Sequence, residues 1–279
     1  MKKVTILIPV YNDWDSLIKL LNEINLVIND IKEYNFDCIV INDASVNKFS
    51  SIKLPNNISS LKIINMKKNL GHARCNAHGI RHVLKANQFD YLILMDGDGE
   101  DRPVEIKDLI EKISFNQNIS VVAKRIKRSE GFFFQILYQL HKALVLIFTG
   151  KNINFGNYSC ITKDDVKILS DKTSLWSSFS GSFKKYIKNY NEINSTRGLR
   201  YFGPSKMSLY KLVIHSLAII AVFKKEVFLR SAIFIIFLSY LSLKINILAI
   251  TAQILLVIFN LLIYLVSLRE NEKELSNSD

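Results

Sequence analysis

The sequence predicts an α/β fold, a mostly parallel sheet with helices on both faces, followed by a C-terminal helical hairpin in a membrane. Three observations predict it. Short, unbroken apolar runs alternate with stretches of helical periodicity through the first part of the chain. The runs end in polar and glycine-rich clusters. The last quarter holds Ile247–Leu268, 22 residues without a charge, 18 of them apolar. Strands covered on both faces read as continuous Val/Ile/Leu runs, and interleaved helices place such strands in parallel.

Val4–Val10 is the first strand. Lys2-Lys3 precede it, but the run is short and no small-residue cleavage site follows, so a strand rather than a signal peptide is expected. Asp15–Lys32 is a helix whose Leu17, Leu20, Leu21, Ile24 and Ile28 recur at three-to-four spacing and form one buried face. Cys38–Ile41, Leu61–Met66, Tyr91–Met95 and Ile119–Ala123 are further strands; His72–Leu84 and Val104–Ile113 are helices between them. Pro103 stands where a first helical residue belongs. Lys124, Arg125, Lys127 and Arg128 form a basic cluster after the fifth strand. Gly131–Gly150 is an apolar helix interrupted by Gln135, Gln139, His141 and Lys142, which suits a core or a membrane surface rather than a span. Asn154–Cys160 reads as a strand and turn, and the rest up to residue 205 is less regular.

A helix over Ile247–Leu268 is about 33 Å long, enough for a hydrocarbon core of about 30 Å. Val227–Leu243 is a shorter apolar stretch of 17 residues with Arg230 near its start, and it reads as the other arm of a hairpin. Lys224, Lys225 and Arg230 precede the pair, Arg269 and Lys273 follow it, and Lys244 alone lies between. The positive-inside rule then places the N-terminal domain and both termini in the cytoplasm, with a multi-pass anchor in the inner membrane. Lys206–Phe223 reads as an amphipathic helix along the membrane. The expected division is a domain over 1–205, a juxtamembrane helix over 206–225, two spans over 226–268 and a tail over 269–279. The competing reading is a hydrophobic helix pair inside a soluble core.

The chain has 279 residues and a net charge of +12; residues 1–205 hold 29 Lys/Arg against 20 Asp/Glu. With 10 Gly and 4 Pro it is neither collagen-like nor disordered. The charge suits an anionic partner: nucleotide phosphates, nucleic acid or acidic lipid. Cys38, Cys75 and Cys160 form no CxxC pair, so reduced thiols are expected rather than a disulfide framework or structural zinc. No GxGxxG or GxxxxGK[ST] cradle is present. His78 and His82 have helical zinc spacing but lack the adjacent glutamate and a third ligand. No nucleic-acid reader motif accompanies the basic cluster, so no nucleic-acid partner is expected.

Asp96-Gly97-Asp98 places two carboxylates at the end of a buried strand, two residues apart and so on one side of extended chain. Both can reach one hard divalent cation, Mg²⁺ or Mn²⁺, bridged to a diphosphate, with Glu100 or Asp101 as a further ligand or acceptor. The bland alternative is a solvated acidic loop.

Five segments carry a resemblance: Ile8-Pro9-Val10-Tyr11-Asn12-Asp13, Ile41-Asn42-Asp43-Ala44-Ser45, Asn69-Leu70-Gly71-His72-Ala73, Asp96-Gly97-Asp98-Gly99-Glu100-Asp101-Arg102-Pro103, and Arg200-Tyr201-Phe202-Gly203-Pro204-Ser205-Lys206-Met207. In this order, and with a membrane hairpin behind them, they resemble the family 2 glycosyltransferases of GT-A (Rossmann-like) fold. The likeness is to the membrane-bound branch that includes dolichol-phosphate mannose synthase and bacterial polyprenyl-phosphate glycosyltransferases. The resemblance implies a nucleotide-sugar donor lined by Pro9, Tyr11 and Asp13, with Asp43 reading the base. It implies a metal on Asp96, Asp98 and Glu100, and Arg125 and Arg128 facing the donor phosphates or the acceptor. Arg200, Ser205 and Lys206 would shape the acceptor entrance. Three positions depart from the family pattern: Asn42 for an aspartate, Ala44 for a glycine, and Asn154-Phe155-Gly156-Asn157-Tyr158-Ser159 where an aspartate-containing stretch is common near the acceptor.

The expected activity is therefore inverting transfer of a sugar from a UDP- or GDP-linked donor to a polyprenyl phosphate. An acceptor phosphate is largely ionised near neutral pH and needs little help from a base, which suits the asparagines. One alternative is transfer to a hydroxyl of a lipid-linked saccharide, which needs a base such as Glu100 or Asp101. Another is a membrane-tethered nucleotide-sugar-binding protein without turnover. A homo-oligomer is compatible with the sequence.

Overall fold

The computed structural model describes residues 1–47, 53–127, 132–203, 208–242 and 246–276. One mixed sheet contains β1 (Lys2–Val10), β2 (Tyr34–Asn42), β3 (Ile58–Asn65), β4 (Tyr91–Leu94), β5 (Val121–Lys127), β6 (Phe155–Thr162) and β7 (Asn191–Thr196) in the order β3-β2-β1-β4-β6-β5-β7. The β3-β2-β1-β4 half is parallel, β5 and β7 are parallel to each other, and β6 runs antiparallel to both β4 and β5. The helices of this domain are α1 (Trp14–Ile28), α2 (His72–Ala86), α3 (Ile106–Phe115), α4 (Phe132–Thr149), α5 (Lys163–Ser170) and α6 (Phe179–Tyr186).

Alternation along β1 divides the core. Ile6 and Ile8 meet Leu17, Leu20 and Ile24 of α1 and Leu109 and Ile113 of α3 on one face. Leu7 meets Ile80 and Val83 of α2, Leu169 of α5 and Phe183 of α6 on the other. Successive side chains of a strand point to opposite faces, so one apolar run serves both layers.

Two expectations shift here. The fifth strand runs on through Lys127, so Lys124 and Arg125 lie in β5, paired with Asn194 and Ser195 of β7. Alternation splits the basic cluster: Lys124 pairs with Glu192 at 3.1 Å, while Arg125 turns toward Asp101. The irregular stretch up to residue 205 contains α5, α6 and β7, elements too short for clear periodicity.

α7 (Leu209–Ala221), α8 (Lys224–Ser242) and α9 (Asn246–Ser267) build a third layer with α4, sharing a core of Val145, Phe148, Phe223, Val227 and Ile263. α8 and α9 are antiparallel: Lys224 pairs with Glu270 at 3.1 Å, and Gln253 Nε2 donates to Ser239 Oγ at 2.8 Å. α10 (Glu272–Ser276) then returns to the sheet domain, where Leu275 is buried and Trp176 Nε1 donates to Glu274 at 3.1 Å.

One described helix, over Ile247–Ser267, is long and apolar enough to cross a membrane. α8 is not: Lys224, Lys225, Glu226 and Arg230 occupy its first two turns. The apolar remainder is about 18 Å long against a core of about 30 Å. Arg230 is spent on the end of α4, donating to the Ile147 carbonyl at 3.0 Å. Among the described residues, one of the two expected spanning helices meets the length requirement.

Candidate functional site

β2, β1 and β4 are parallel neighbours, so their carboxyl ends bring Tyr11–Asp13, Asp43 and Asp96–Asp98 to one rim, where ligands of open α/β sheets bind. Two turns there take the left-handed conformation, at Asn12 (φ 51°) and Ala44 (φ 54°). Asn12 secures its turn by accepting the N–H groups of Val46 and Asn47 on Oδ1, at 2.9 and 3.2 Å. Ala44 has no such compensation, and a Cβ is disfavoured in this region by about 1–2 kcal/mol. Ala44→Gly is therefore expected to stabilise the protein by up to about 1 kcal/mol once the greater freedom of an unfolded glycine is deducted. Thermal denaturation checks it, as a rise in Tm of ~2–4 °C.

The carboxylate of Asp43 is committed to backbone. Its Oδ1 accepts the Leu70 N–H at 2.8 Å and its Oδ2 the Gly71 N–H at 2.9 Å, which fastens the start of α2 to the end of β2. Asn42, in the aspartate position, bridges Asn65 Oδ1 at 2.8 Å and the Ser45 N–H at 3.0 Å. Pro9 is buried and Tyr11 exposed beside this rim. Asp13 accepts from Ser16 Oγ at 2.7 Å and pairs with Arg200 Nη2 at 2.7 Å.

The acidic loop after β4 meets a basic side chain at every carboxylate. His72 Nε2, at the first residue of α2, lies 3.2 Å from Asp96 Oδ1 and 2.7 Å from Asn157 Nδ2. Asn157 Nδ2 in turn approaches Asp96 Oδ1 at 3.4 Å. Asp98 pairs with Arg200 Nη1, and its Oδ1 accepts the Glu100 N–H at 3.0 Å. Glu100 pairs with Arg197. Asp101 is buried, accepts the Asp96 N–H at 2.9 Å and faces Arg125 Nη2 at 3.6 Å. Arg197 and Arg200 arrive on the segment after β7. That segment is placed by the buried Glu105, which accepts Ser195 Oγ–H at 2.7 Å and the Thr196 N–H at 3.0 Å.

The charges respond to this crowding. Burial alone would raise Asp96, but His72 beside it, then Arg125 and Arg197, outweigh that and hold it well below the usual carboxylate range. Burial, reinforced by Asp96 and Glu100, pushes Asp98 up to about 6. Burial and Asp96 push Asp101 up to about 7. Burial would lower His72, yet Asp96 and its hydrogen bond raise it overall. His215 of α7 is lowered to about 4 by burial and then by His72 and His141, with Asp96 and Arg125 also in electrostatic reach. α7 thus lies within electrostatic reach of the acid rim.

The donor set fits a hard divalent cation. Asp96, Asp98 and Glu100 offer hard oxygen donors on one short loop, and the like charges of Asp96 and Glu100 add to burial in raising Asp98, a strain that a bound cation would relieve. Among the described residues no three His, Cys, Asp or Glu side chains enclose a metal by themselves, so the remaining oxygens would come from a ligand and water.

The structure thus brings Asp13, Asp96, Asp98, Glu100, Arg125, Asn157 and Arg200 into one network, with Pro9, Tyr11 and Asp43 along its edge. Arg128, Ser205 and Lys206 lie outside the described residues. Sequence reasoning gave no role to His72 or Arg197. His72 stands in one of the five segments that carry the resemblance; nothing in the local sequence marks Arg197.

Comparison with known proteins agrees with this geometry. The family model "Glycosyl transferase family 2" matches residues 5–201. Undecaprenyl-phosphate 4-deoxy-4-formamido-L-arabinose transferases of Photorhabdus laumondii and Klebsiella pneumoniae are each 24% identical, over 226 and 223 residues. In each case the match covers 76% of this chain and 65% of the relative. An uncharacterised protein of Methanocaldococcus jannaschii is 26% identical over 166 residues, 55% of this chain and 67% of that protein. The chain thus spans about two thirds of the length of these relatives. Glucosyl-3-phosphoglycerate synthase of Mycobacterium tuberculosis, solved with Mn²⁺, UDP and glucosyl-3-phosphoglycerate, superimposes with a TM-score of 0.56 at 12% identity, covering 81% of this chain and 80% of that one. The sheet, the rim and the span of the family match lead to one conclusion: this chain belongs to glycosyl transferase family 2 and carries its GT-A fold.

Proposed function

We propose that the protein transfers a sugar, with inversion, from a UDP- or GDP-linked donor to a polyprenyl phosphate at the cytoplasmic face of a membrane, with Mg²⁺ or Mn²⁺ bound. The observation that carries this reading is the position of the helix layer. α7 sets His215 within electrostatic reach of Asp96 and Arg125, and the same layer ends in α9, whose Leu255, Val257, Leu261 and Leu262 face outward. A lipid lying along that layer would carry its head group to the acid rim. Two relatives named as undecaprenyl-phosphate transferases support this acceptor class.

Asp96 and Asp98, with Glu100 beside them, would hold the cation, which when bound neutralises charge on the departing nucleoside diphosphate. His72 and Arg125 keep Asp96 ionised for that task. Arg125 would also face phosphate, and Asn157, fixed by His72, would orient the acceptor. An oxygen of the acceptor phosphate attacks the anomeric carbon, and the bond from that carbon to the diphosphate breaks with its electron pair leaving on the diphosphate. No proton must be removed. The hydroxyl-acceptor alternative needs a free base, yet Glu100 is paired with Arg197, and Asp101 is buried under the Asp96 N–H. The assay is release of UDP or GDP from a panel of nucleotide sugars with undecaprenyl phosphate in detergent. The expected product is a single acid-labile glycosyl phosphodiester. A product joined to a saccharide hydroxyl and stable to mild acid overturns the acceptor, and donor binding without turnover makes the chain a binding protein.

Anchoring is tested on α9 itself, because removing everything beyond Phe223 would also strip the buried Leu275 and the partner of Trp176. Leu255→Lys with Leu262→Lys places two charges on outward positions. Leu255→Lys, near mid-helix, should cost roughly 2.5–3.5 kcal/mol of insertion, and Leu262→Lys, nearer the end, adds a smaller cost. The doubly substituted protein is expected to leave the membrane pellet in an alkaline carbonate wash that retains the wild type.

A further inference from the structure

We propose that Arg200 is a built-in stand-in for the divalent cation, exchanging Asp98 for the donor's diphosphate when metal and nucleotide enter. The inference rests on the reading that Asp96 and Asp98 hold a cation. Both oxygens of Asp98 are already engaged, Oδ2 by Arg200 Nη1 and Oδ1 by the Glu100 N–H. Each oxygen keeps a lone pair, but a cation drawn to Asp98 would meet the positive charge of the guanidinium at close range, so the two compete for this carboxylate.

The surroundings let the side chain move while its backbone stays. On either side of Arg200 the segment is tied to the acidic loop, by Gly198 N–H to the Glu100 carbonyl at 2.8 Å and Tyr201 N–H to the Asp98 carbonyl at 2.9 Å. Tyr201 Oη–H also donates to Glu23 at 2.6 Å. The second arm of the guanidinium, Nη2, is held on Asp13 Oδ2 at 2.7 Å, at the end of β1. Arg200 can thus release Asp98 and stay at the rim through Asp13. The buried Nε of Arg200 has no hydrogen-bond partner among the described residues, so one donor is already unused. The freed Nη1 would then face an incoming diphosphate, and a planar fork of donors pairs with phosphate as well as with carboxylate. Without ligand the arginine offsets the charge of Asp13 and Asp98; with ligand it adds to the charge on the departing group.

Mn²⁺ binding to the full chain in detergent, read from the loss of the free-ion electron paramagnetic resonance signal, tests this without turnover. It is titrated alone, with UDP and with GDP, on the wild type, Arg200→Gln, Arg200→Lys and Asp98→Asn. Arg200→Gln is expected to bind Mn²⁺ alone about tenfold more tightly than the wild type, because its competitor is gone. It should also lose about tenfold of the gain in Mn²⁺ affinity that the preferred nucleotide confers, because a phosphate partner is gone; losses of this size follow from one charge-assisted contact. Arg200→Lys keeps the charge but cannot fork between Asp13 and Asp98, and should fall between the two. A purely structural arginine would weaken both titrations together. Weakening or no change of Mn²⁺ binding alone in Arg200→Gln, with wild-type binding that depends on Asp98, overturns the exchange and leaves the metal site standing. No Mn²⁺ binding to the wild type, with or without either nucleotide, overturns both.

Discussion

Asp98→Asn is expected to lower transfer by about a thousandfold or more, about 4 kcal/mol of transition-state stabilisation at 1.36 kcal/mol per decade. Asp96→Asn should do the same. The motivation is their shared strand end and the like-charge crowding of buried Asp98 by Asp96 and Glu100. The predicted loss is chemical rather than structural, and Asp98 separates the two by pH. Its proton affinity in the folded chain is raised to about 6, against 3.8 for the free side chain. A carboxylate raised in this way contributes stability that is fully present below pH 3.8 and is lost as pH rises through about 6. The wild type should therefore lose part of its stability over that window in the absence of metal. Asp98→Asn carries no titrating group there and should lose less. Thermal denaturation at a series of pH values, beside a fixed-pH transfer assay, checks both halves. Full activity of Asp98→Asn would overturn the metal assignment.

Gly99→Ala is expected to destabilise the protein by about 2–4 kcal/mol and to cut activity with it. Gly99 has φ 90°, a conformation L side chains rarely adopt, and an added Cβ would lie 2.6 Å from two ring carbons of Tyr201. The ring cannot retreat cheaply: Lys19 Nζ sits 4.5 Å from its centroid, and its hydroxyl is bonded to Glu23. Displacing Tyr201 loosens the segment that carries Arg197 and Arg200 onto the acidic loop. Gly203→Ala is the control, since Gly203 also has positive φ (63°) but nothing among the described residues within 4 Å of its would-be Cβ. It should show the backbone cost alone, about 1 kcal/mol. In the double variant Gly99→Ala with Tyr201→Ala the steric part should be recovered. A cost for Gly99→Ala no larger than the control would mean that the ring is not a rigid lid over the loop.

The sequence by itself determined the alternation of strands and helices, the strand ends that bear the polar clusters, the acid pair and the apolar run that becomes α9. Each of these is local: period, composition and a turn signal reside within a few consecutive residues, and a parallel sheet delivers its strand ends to one edge whatever fills the loops. The inward face of α1 and the Asp96-Gly97-Asp98 pair were legible for that reason. Three things were decided only in three dimensions. The antiparallel β6 between β4 and β5 brings Asn157 to Asp96, and strand pairing is chosen by register across the whole sheet. Arg230, near the head of α8, is tied to the Ile147 carbonyl at the end of α4, a partner 83 residues away in the chain. The partners of the acidic loop come from afar, His72 from α2 and Arg200 from 102 residues beyond Asp98. An ion pair of that separation leaves no trace in local periodicity, because what joins its members is the packing of the elements between them, here Glu105 and β7, and not any pattern the chain carries along its length.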